Sequence, residues 1–336
     1  MPTARPAHPA ALIPAARRGE AKGMQLWPHQ IEALQVCARA HTQRRSRVLV
    51  QVPPGTGKTE IAARVAMSWV AERPFGRVVV CVSSAPVLEQ FARRLRESTR
   101  LPIGIERAQL RAPSSARLVI ATQQSLWGRL AKYPRDTLLI YDECHHGNLD
   151  APENLRLAQS FDHVLGLSAT PWSPGCEQLF AESHRVTLPL FQAEQAQLIA
   201  PHEILPWTEP AGPLALVFLA SNQACEERSR KTPRSTWIGV QVPELQRRAR
   251  IQHWKAGAVP ILYVNRMLLE GFDEPRCPHI WLDKETDSQI QLVQMAGRAL
   301  RYRPGKVARL YCATADGEEQ LRAALQRCNR PQLKLV

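Results

Sequence analysis

The chain has 336 residues, 44% of them hydrophobic and 22% charged, which fits an ordinary globular protein of about two domains at roughly 150 residues each. No apolar run reaches the ~18 residues of a membrane span, and the eight cysteines form no CxxC pair, which argues against a zinc knuckle or a secreted disulfide framework. We therefore expect reduced, buried thiols and a cytoplasmic protein with no membrane partner, while the formal charge of +14 points to a polyanion such as nucleic acid.

Residues 1–23 are rich in Ala, Pro and Arg and lack an apolar face, so they read as a disordered tail or as sequence ahead of a start at Met24. From residue 26 onward short apolar runs alternate with amphipathic stretches. Strands are expected over 47–52, 77–82, 117–121, 138–141 and 164–167, with helices over 59–71 and 86–97. A Pro-punctuated stretch over 189–213 interrupts the rhythm, which resumes with strands at 214–219, 260–264, 279–282 and 308–312. Nearly all-apolar strands alternating with helices imply buried parallel sheets. The expectation is two α/β domains, 24–195 and 196–336, each a mostly parallel sheet flanked by helices.

Pro53-Pro54-Gly55-Thr56-Gly57-Lys58-Thr59 follows the first strand and opens a helix, the setting a phosphate-binding loop requires. Backbone N–H groups of Gly55, Thr56 and Gly57 can wrap phosphates, Lys58 can reach the β/γ oxygens, and the Thr59 hydroxyl can hold Mg²⁺. Val52 stands where the strict GxxxxGK[ST] pattern has its first glycine. Leu138-Leu139-Ile140-Tyr141 is an apolar strand ending in Asp142-Glu143. An aspartate there can hold Mg²⁺ through water, and the adjacent glutamate can orient and deprotonate an attacking water.

In this order and spacing the motifs resemble those of a superfamily 2 helicase, and the resemblance runs over residues 26–311. Leu26-Trp27-Pro28-His29-Gln30 resembles the segment whose glutamine reads adenine, which implies that role for Gln30. The segment 79–91 resembles motif Ia, with Ser83-Ser84 in place of Pro-Thr, and 118–126 resembles motif Ib. These imply nucleic-acid contacts at Ser84 and Thr122. Asp142-Glu143-Cys144-His145 is a variant DExH box, and Ser168-Ala169-Thr170 matches motif III. His145, Ser168 and Thr170 are thereby expected to couple the ATP site to nucleic-acid grip. The segment 216–221 stands where motif IV should be. Glu270-Gly271-Phe272-Asp273-Glu274-Pro275 resembles motif V, implying nucleotide contacts at Gly271 and Asp273. Gln294-Met295-Ala296-Gly297-Arg298-Ala299-Leu300-Arg301 resembles motif VI, implying catalytic roles for Gln294, Arg298 and Arg301.

The resemblance implies two tandem RecA-like domains that hydrolyse ATP with Mg²⁺ between them. Independently of the family, an arginine delivered by a second domain can stabilise charge on a transferred phosphoryl group, an effect worth about 10³–10⁵ in rate in related NTPases. Arg298 and Arg301 stand three apart on a predicted helix and so are expected to share a face. His145 and His146, being adjacent, are expected to point to opposite sides, which makes a metal pair unattractive. Trp69, Trp254 and Trp281 are expected in cores.

The DECH-His form and the EGFDEP and QMAGRALR segments look most like the branch shared by type I/III restriction motors and branch-migration or repair helicases. That likeness implies a DNA helicase or translocase. An RNA helicase is the alternative, although the DEAD and PTR signatures usual there are missing. A nucleotide-switched binding subunit is a second alternative, argued against by intact Lys58, Asp142, Glu143 and Arg298. Phosphate contacts carry no sequence information, so targeting is expected to come from substrate structure or from a partner protein supplying it or a nuclease activity.

Overall fold

A computed structural model describes residues 25–265, 274–283, 286 and 288–330. The tail 1–23 and the motif V positions Gly271 and Asp273 lie outside these described residues. The chain divides into two compact units, one ending at Thr187 and one running from Leu188 onward and taking in Val52–Thr56. The division thus falls ahead of residue 195. The helix Leu190–Gln195 belongs with the second unit, where the N–H groups of Leu198 and Ile199 bond the Ala193 carbonyl and Ile199 bridges Arg301.

The first unit is built on seven parallel strands: β1 (Ser46–Gln51), β2 (Val78–Val82), β3 (Ile103–Glu106), β4 (Leu118–Thr122), β5 (Leu138–Asp142), β6 (His163–Ser168) and β7 (His184–Thr187). Their order is β3-β4-β2-β5-β6-β1-β7. The interior strands are apolar along nearly their whole length because helices cover both faces, leaving no solvent side for a polar residue to occupy. β2, β4 and β5 are buried at every position. The helix Lys58–Glu72 buries Ile61, Ala62, Val65, Ala66 and Trp69. The helix Ala85–Ser98 buries Leu88, Phe91, Ala92 and Leu95, a single stripe at helical spacing. Each large apolar side chain so buried contributes roughly 1.5–3 kcal/mol. Gly166 in β6 leaves room for the Phe180 ring and lies close to the Cys144 sulfur, and a Cβ there would collide with that ring.

The second unit has six parallel strands: β8 (His202–Pro206), β9 (Ala215–Leu219), β10 (Ser235–Ile238), β11 (Ile261–Val264), β12 (His279–Asp283) and β13 (Ala308–Cys312). Their order is β10-β11-β9-β12-β13-β8. Trp254 and Trp281 fill this unit's interior and Trp69 the first unit's, and all eight cysteines are free and buried.

All four strands absent from the sequence reading (β3, β7, β8 and β10) are the outermost strands of the two sheets. With a neighbour on one side only they are partly exposed, and their sequences IGIE, HRVT, HEILP and STWI carry no apolar run.

His41 and His163 are 9% and 8% exposed and pack around Trp69, each ring about 4.9 Å from the indole. Ser46 Oγ lies 2.9 Å from His163 Nδ1, and the Arg73 guanidinium stacks 3.8 Å over Trp69 while donating to the His41 carbonyl. Burial, with His163 and Arg73 adding the same sign, pulls the His41 pKa from the ordinary 6.5 down to about 3, and burial lowers His163 as well. The unfolded chain therefore binds these protons more readily than the folded one. Stability is expected to decline as pH falls from about 6.5 towards 3, by at most ~1.4 kcal/mol per pH unit per histidine. Denaturant unfolding from pH 7.5 to 4.5 should show this slope, and His41→Leu should flatten it. An equal slope in both proteins would contradict the assignment.

Candidate active site

The site in the first unit follows from strand order. β1 and β5 both flank β6, so the loops leaving the carboxyl ends of these three parallel strands open on the same sheet edge. Those loops carry Lys58, Asp142-Glu143 and Ser168-Ala169-Thr170.

Gly55 and Gly57 hold φ of +85° and +83°, a left-handed region open to glycine at little cost. Gly57 is also where the helix Lys58–Glu72 begins. A Cβ on Gly57 would collide with the Gln30 carboxamide, so Gln30 lies against the phosphate loop. Its Oε1 accepts from the Trp27 backbone N–H at 2.9 Å, fixing the carboxamide at the start of the helix Pro28–Ala40. The Thr56 hydroxyl donates to the Pro53 carbonyl at 2.7 Å and is fully buried. Val52, in the position of the missing glycine, is also fully buried.

Lys58 Nζ lies 3.3 Å from Glu143 Oε1, with 10% and 22% of the two side chains exposed. Glu143 holds φ of +51°, uncommon for a residue with a Cβ and of a kind that clusters at functional sites. Asp142 ends β5 with 6% exposure, and its charge, after burial, helps hold the Cys81 thiol above its usual pKa. His145 Nδ1 lies 2.7 Å from Ser168 Oγ and 3.4 Å from Glu143 Oε2, and the Thr170 N–H donates to Ser168 Oγ at 2.9 Å. Glu143, His145, Ser168 and Thr170 thus form one connected group. His145 and His146 do not diverge as an extended chain would require. They lie in the turn after β5 with ring centroids 4.6 Å apart.

Ser83 and Ser84 follow β2, and Thr122 ends the neighbouring β4, so all three share this sheet edge. The buried hydroxyls of Ser83 and Ser84 have no hydrogen-bond partner among the described residues. Thr122 Oγ1 donates to Ser125 Oγ, which in turn accepts from the Ala108 N–H. Ser125 gave no separate signal in the sequence. Neither did Glu106, whose fully buried carboxylate at the end of β3 binds Arg129, Lys132 and Tyr133 and so ties down the segment after β4.

In the second unit Gln294 is 8% exposed in the helix Gln289–Ala296. The expected common helix for Arg298 and Arg301 is absent. The helix stops at Ala296, the N–H groups of Arg298 and Ala299 make tighter bonds to Met295 and Ala296, and Arg301 forms an antiparallel bridge with Ile199. Glycine at the helix end is the physical reason: Gly297 is the C-cap, where continuation is least favoured.

Thr59 and Asp142 are the residues suited to a divalent cation. Among the described residues there is no cluster of three or more His, Cys, Asp or Glu side chains able to hold a metal. A cation taking most of its ligands from phosphate and water needs no such cluster, and Mg²⁺ binds in that way. One hydroxyl and one buried carboxylate fit that demand. Among the described residues no helix is long and apolar enough to cross a membrane.

Residues 23–173 match the family described as type III restriction enzyme, res subunit (ResIII). DHX58 of Mus musculus, named as an ATP-dependent RNA helicase, is 27% identical over 189 residues, covering 46% of this chain and 26% of that protein. The irc3 protein of Schizosaccharomyces pombe, named as a mitochondrial ATP-dependent helicase, is 31% identical over 162 residues, covering 44% of this chain and 26% of that protein. The chain therefore spans about a quarter of the length of these relatives. Among solved structures, the Type ISP restriction-modification enzyme LlaBIII bound to DNA superposes with a TM-score of 0.71 at 15% identity, covering 92% of this chain and 30% of that one. With two parallel sheets and the ordered motifs, these matches make the chain similar to the superfamily 2 helicases.

Proposed function

We propose that the chain is an ATP- and Mg²⁺-dependent motor that translocates on or unwinds nucleic acid, with DNA as its substrate. The observation that carries the ATP chemistry is the 3.3 Å approach of Lys58 to Glu143, with His145 and Ser168 behind it. In this reading the Gly55–Gly57 backbone and Lys58 bind the phosphates, and Gln30 holds the adenine. Glu143 orients the attacking water and takes its proton. Bound Mg²⁺, held by Thr59 and Asp142, would neutralise charge on the phosphate oxygens. Arg298 and Arg301 supply positive charge to the transferred phosphoryl group, Gln294 helps position them, and Gly271 and Asp273 add nucleotide contacts. Ser84 and Thr122 contact the nucleic-acid backbone, and His145, Ser168 and Thr170 link that contact to the ATP site.

The DNA reading rests on the restriction-motor likeness of the motifs and of residues 23–173, together with the DNA bound in LlaBIII. The name of DHX58 keeps RNA as the second reading. A partner that supplies targeting or nuclease activity accords with the match to a restriction subunit.

ATPase rates at fixed low salt should rank duplex or forked DNA at or above single-stranded DNA, and all of them above RNA. Stimulation by RNA alone would overturn the DNA assignment. Binding should weaken steeply with salt whatever the sequence, because the grip is on phosphates. Arg298→Ala should lower kcat for ATP by orders of magnitude while changing nucleotide affinity by only a few-fold, the mark of a contact made in the transition state. Equal losses in binding and turnover would contradict that role.

A further inference from the structure

Arg301 lies past the end of its helix, so helical geometry does not hold its main chain. Two other things do. The antiparallel bridge to Ile199 and the Ala200 N–H bond to the Leu300 carbonyl, 2.7 Å, secure one side. The ammonium of Lys306 secures the other: its Nζ donates at 2.8 Å to the Arg301 carbonyl and at 2.8 Å to the Pro275 carbonyl. Pro275 closes the EGFDEP segment and Arg301 closes QMAGRALR, so one half-buried cation joins the loops of both motifs.

We infer that Lys306 is a positioning residue for ATP hydrolysis, holding the Arg301 main chain and the end of motif V in fixed relation through its two carbonyl bonds. This rests on the role of Arg301 given above. Charge-assisted donors are roughly twice as strong as neutral ones, and a lysine half-removed from water is screened less than an exposed one. The nearby acid is already engaged: Glu274 accepts from the Arg276 backbone N–H, Nε and Nη2. Cys277 is no counter-ion, since burial pushes its thiol up to about 12. The loop 301–306 is short and tight. The Lys306 N–H bonds the Arg303 carbonyl, and Gly305 holds φ of +75°, which brings the lysine stem back over Arg301.

The placement makes Lys306 visible in a pH profile. Burial, reinforced by Arg301 and Arg303 and opposed by Glu274, draws its pKa from 10.5 down to about 8. Below that pH the ammonium is charged and its bonds are strong. Above it the charge is lost and the bonds weaken. A lysine that merely filled space would change melting temperature without giving kcat an alkaline limb.

The experiment measures kcat and KM for ATP in the full chain, stimulated by nucleic acid, from pH 6.5 to 9.5. The proteins are wild type, Lys306→Met, Lys306→Arg and Arg301→Ala, with melting temperatures alongside. Wild-type kcat should fall as pH rises through about 8, with KM nearly constant. Lys306→Met should lose at least tenfold in kcat and show no alkaline limb, and Lys306→Arg, which stays charged, should recover much of kcat and keep it to higher pH. Wild-type kcat in Lys306→Met would overturn the inference, as would a wild-type profile level through pH 8, which decides alone if the variants do not fold. If Arg301→Ala is inactive while Lys306→Met is normal, only the role of Lys306 fails. If Arg301→Ala is itself normal, the proposed motif VI chemistry fails and the positioning role fails with it.

Discussion

The approach of Lys58 to Glu143 within 3.3 Å is the interaction to which the rest of the first domain is subordinate. The two residues stand 85 positions apart (143 minus 58) and meet because β6 lies between β1 and β5. In a parallel sheet every strand delivers its following loop to one edge, so sheet order decides which loops become neighbours. Binding sites in open α/β sheets form outside these carboxyl ends. Burying both faces of the sheet requires strands that are apolar throughout. Polar chemistry is thereby displaced to the strand ends, where Asp142, Ser168, Thr122 and the Ser83-Ser84 pair are found.

That constraint explains what the sequence made legible. Interior strands such as VVVCV and LLIYD declare themselves by unbroken apolarity, and the loops after them by motif. Edge strands carry no such signature, because half of their hydrogen-bonding groups and part of their side chains face away from the sheet. Thus β3, β7, β8 and β10 emerge only in the structure. The end of the helix at Ala296 was obscured for a different reason. The spacing of Arg298 and Arg301 suits a helix, yet Gly297 ends it, and a three-residue interval does not reveal whether the backbone between is helical. The turn holding His145 beside His146 was obscured by Glu143, whose positive φ breaks the extended alternation.

The strained Glu143 backbone is tied to a second set of groups. Its carboxylate faces Lys58 through Oε1 and His145 through Oε2, and His145 continues through Ser168 Oγ to the Thr170 N–H. Three polar contacts thus connect Glu143 to the carboxyl end of β6. In the proposed mechanism they are the route within one domain between motif III and the base. The second domain uses a different device: where helix geometry ends, main-chain pairing with Ile199 and the Lys306 ammonium hold Arg301.

If Glu143 is the base, removing its charge while keeping its shape must separate binding from chemistry. The direct measurement is ATP affinity and single-turnover hydrolysis in Glu143→Gln beside wild type, with Mg²⁺ and nucleic acid present. The account predicts that the variant binds ATP within a few-fold of wild type and cleaves it at least a hundredfold more slowly, the lower end of the usual general-base contribution of about 10²–10⁴. Hydrolysis near the wild-type rate in Glu143→Gln would contradict it.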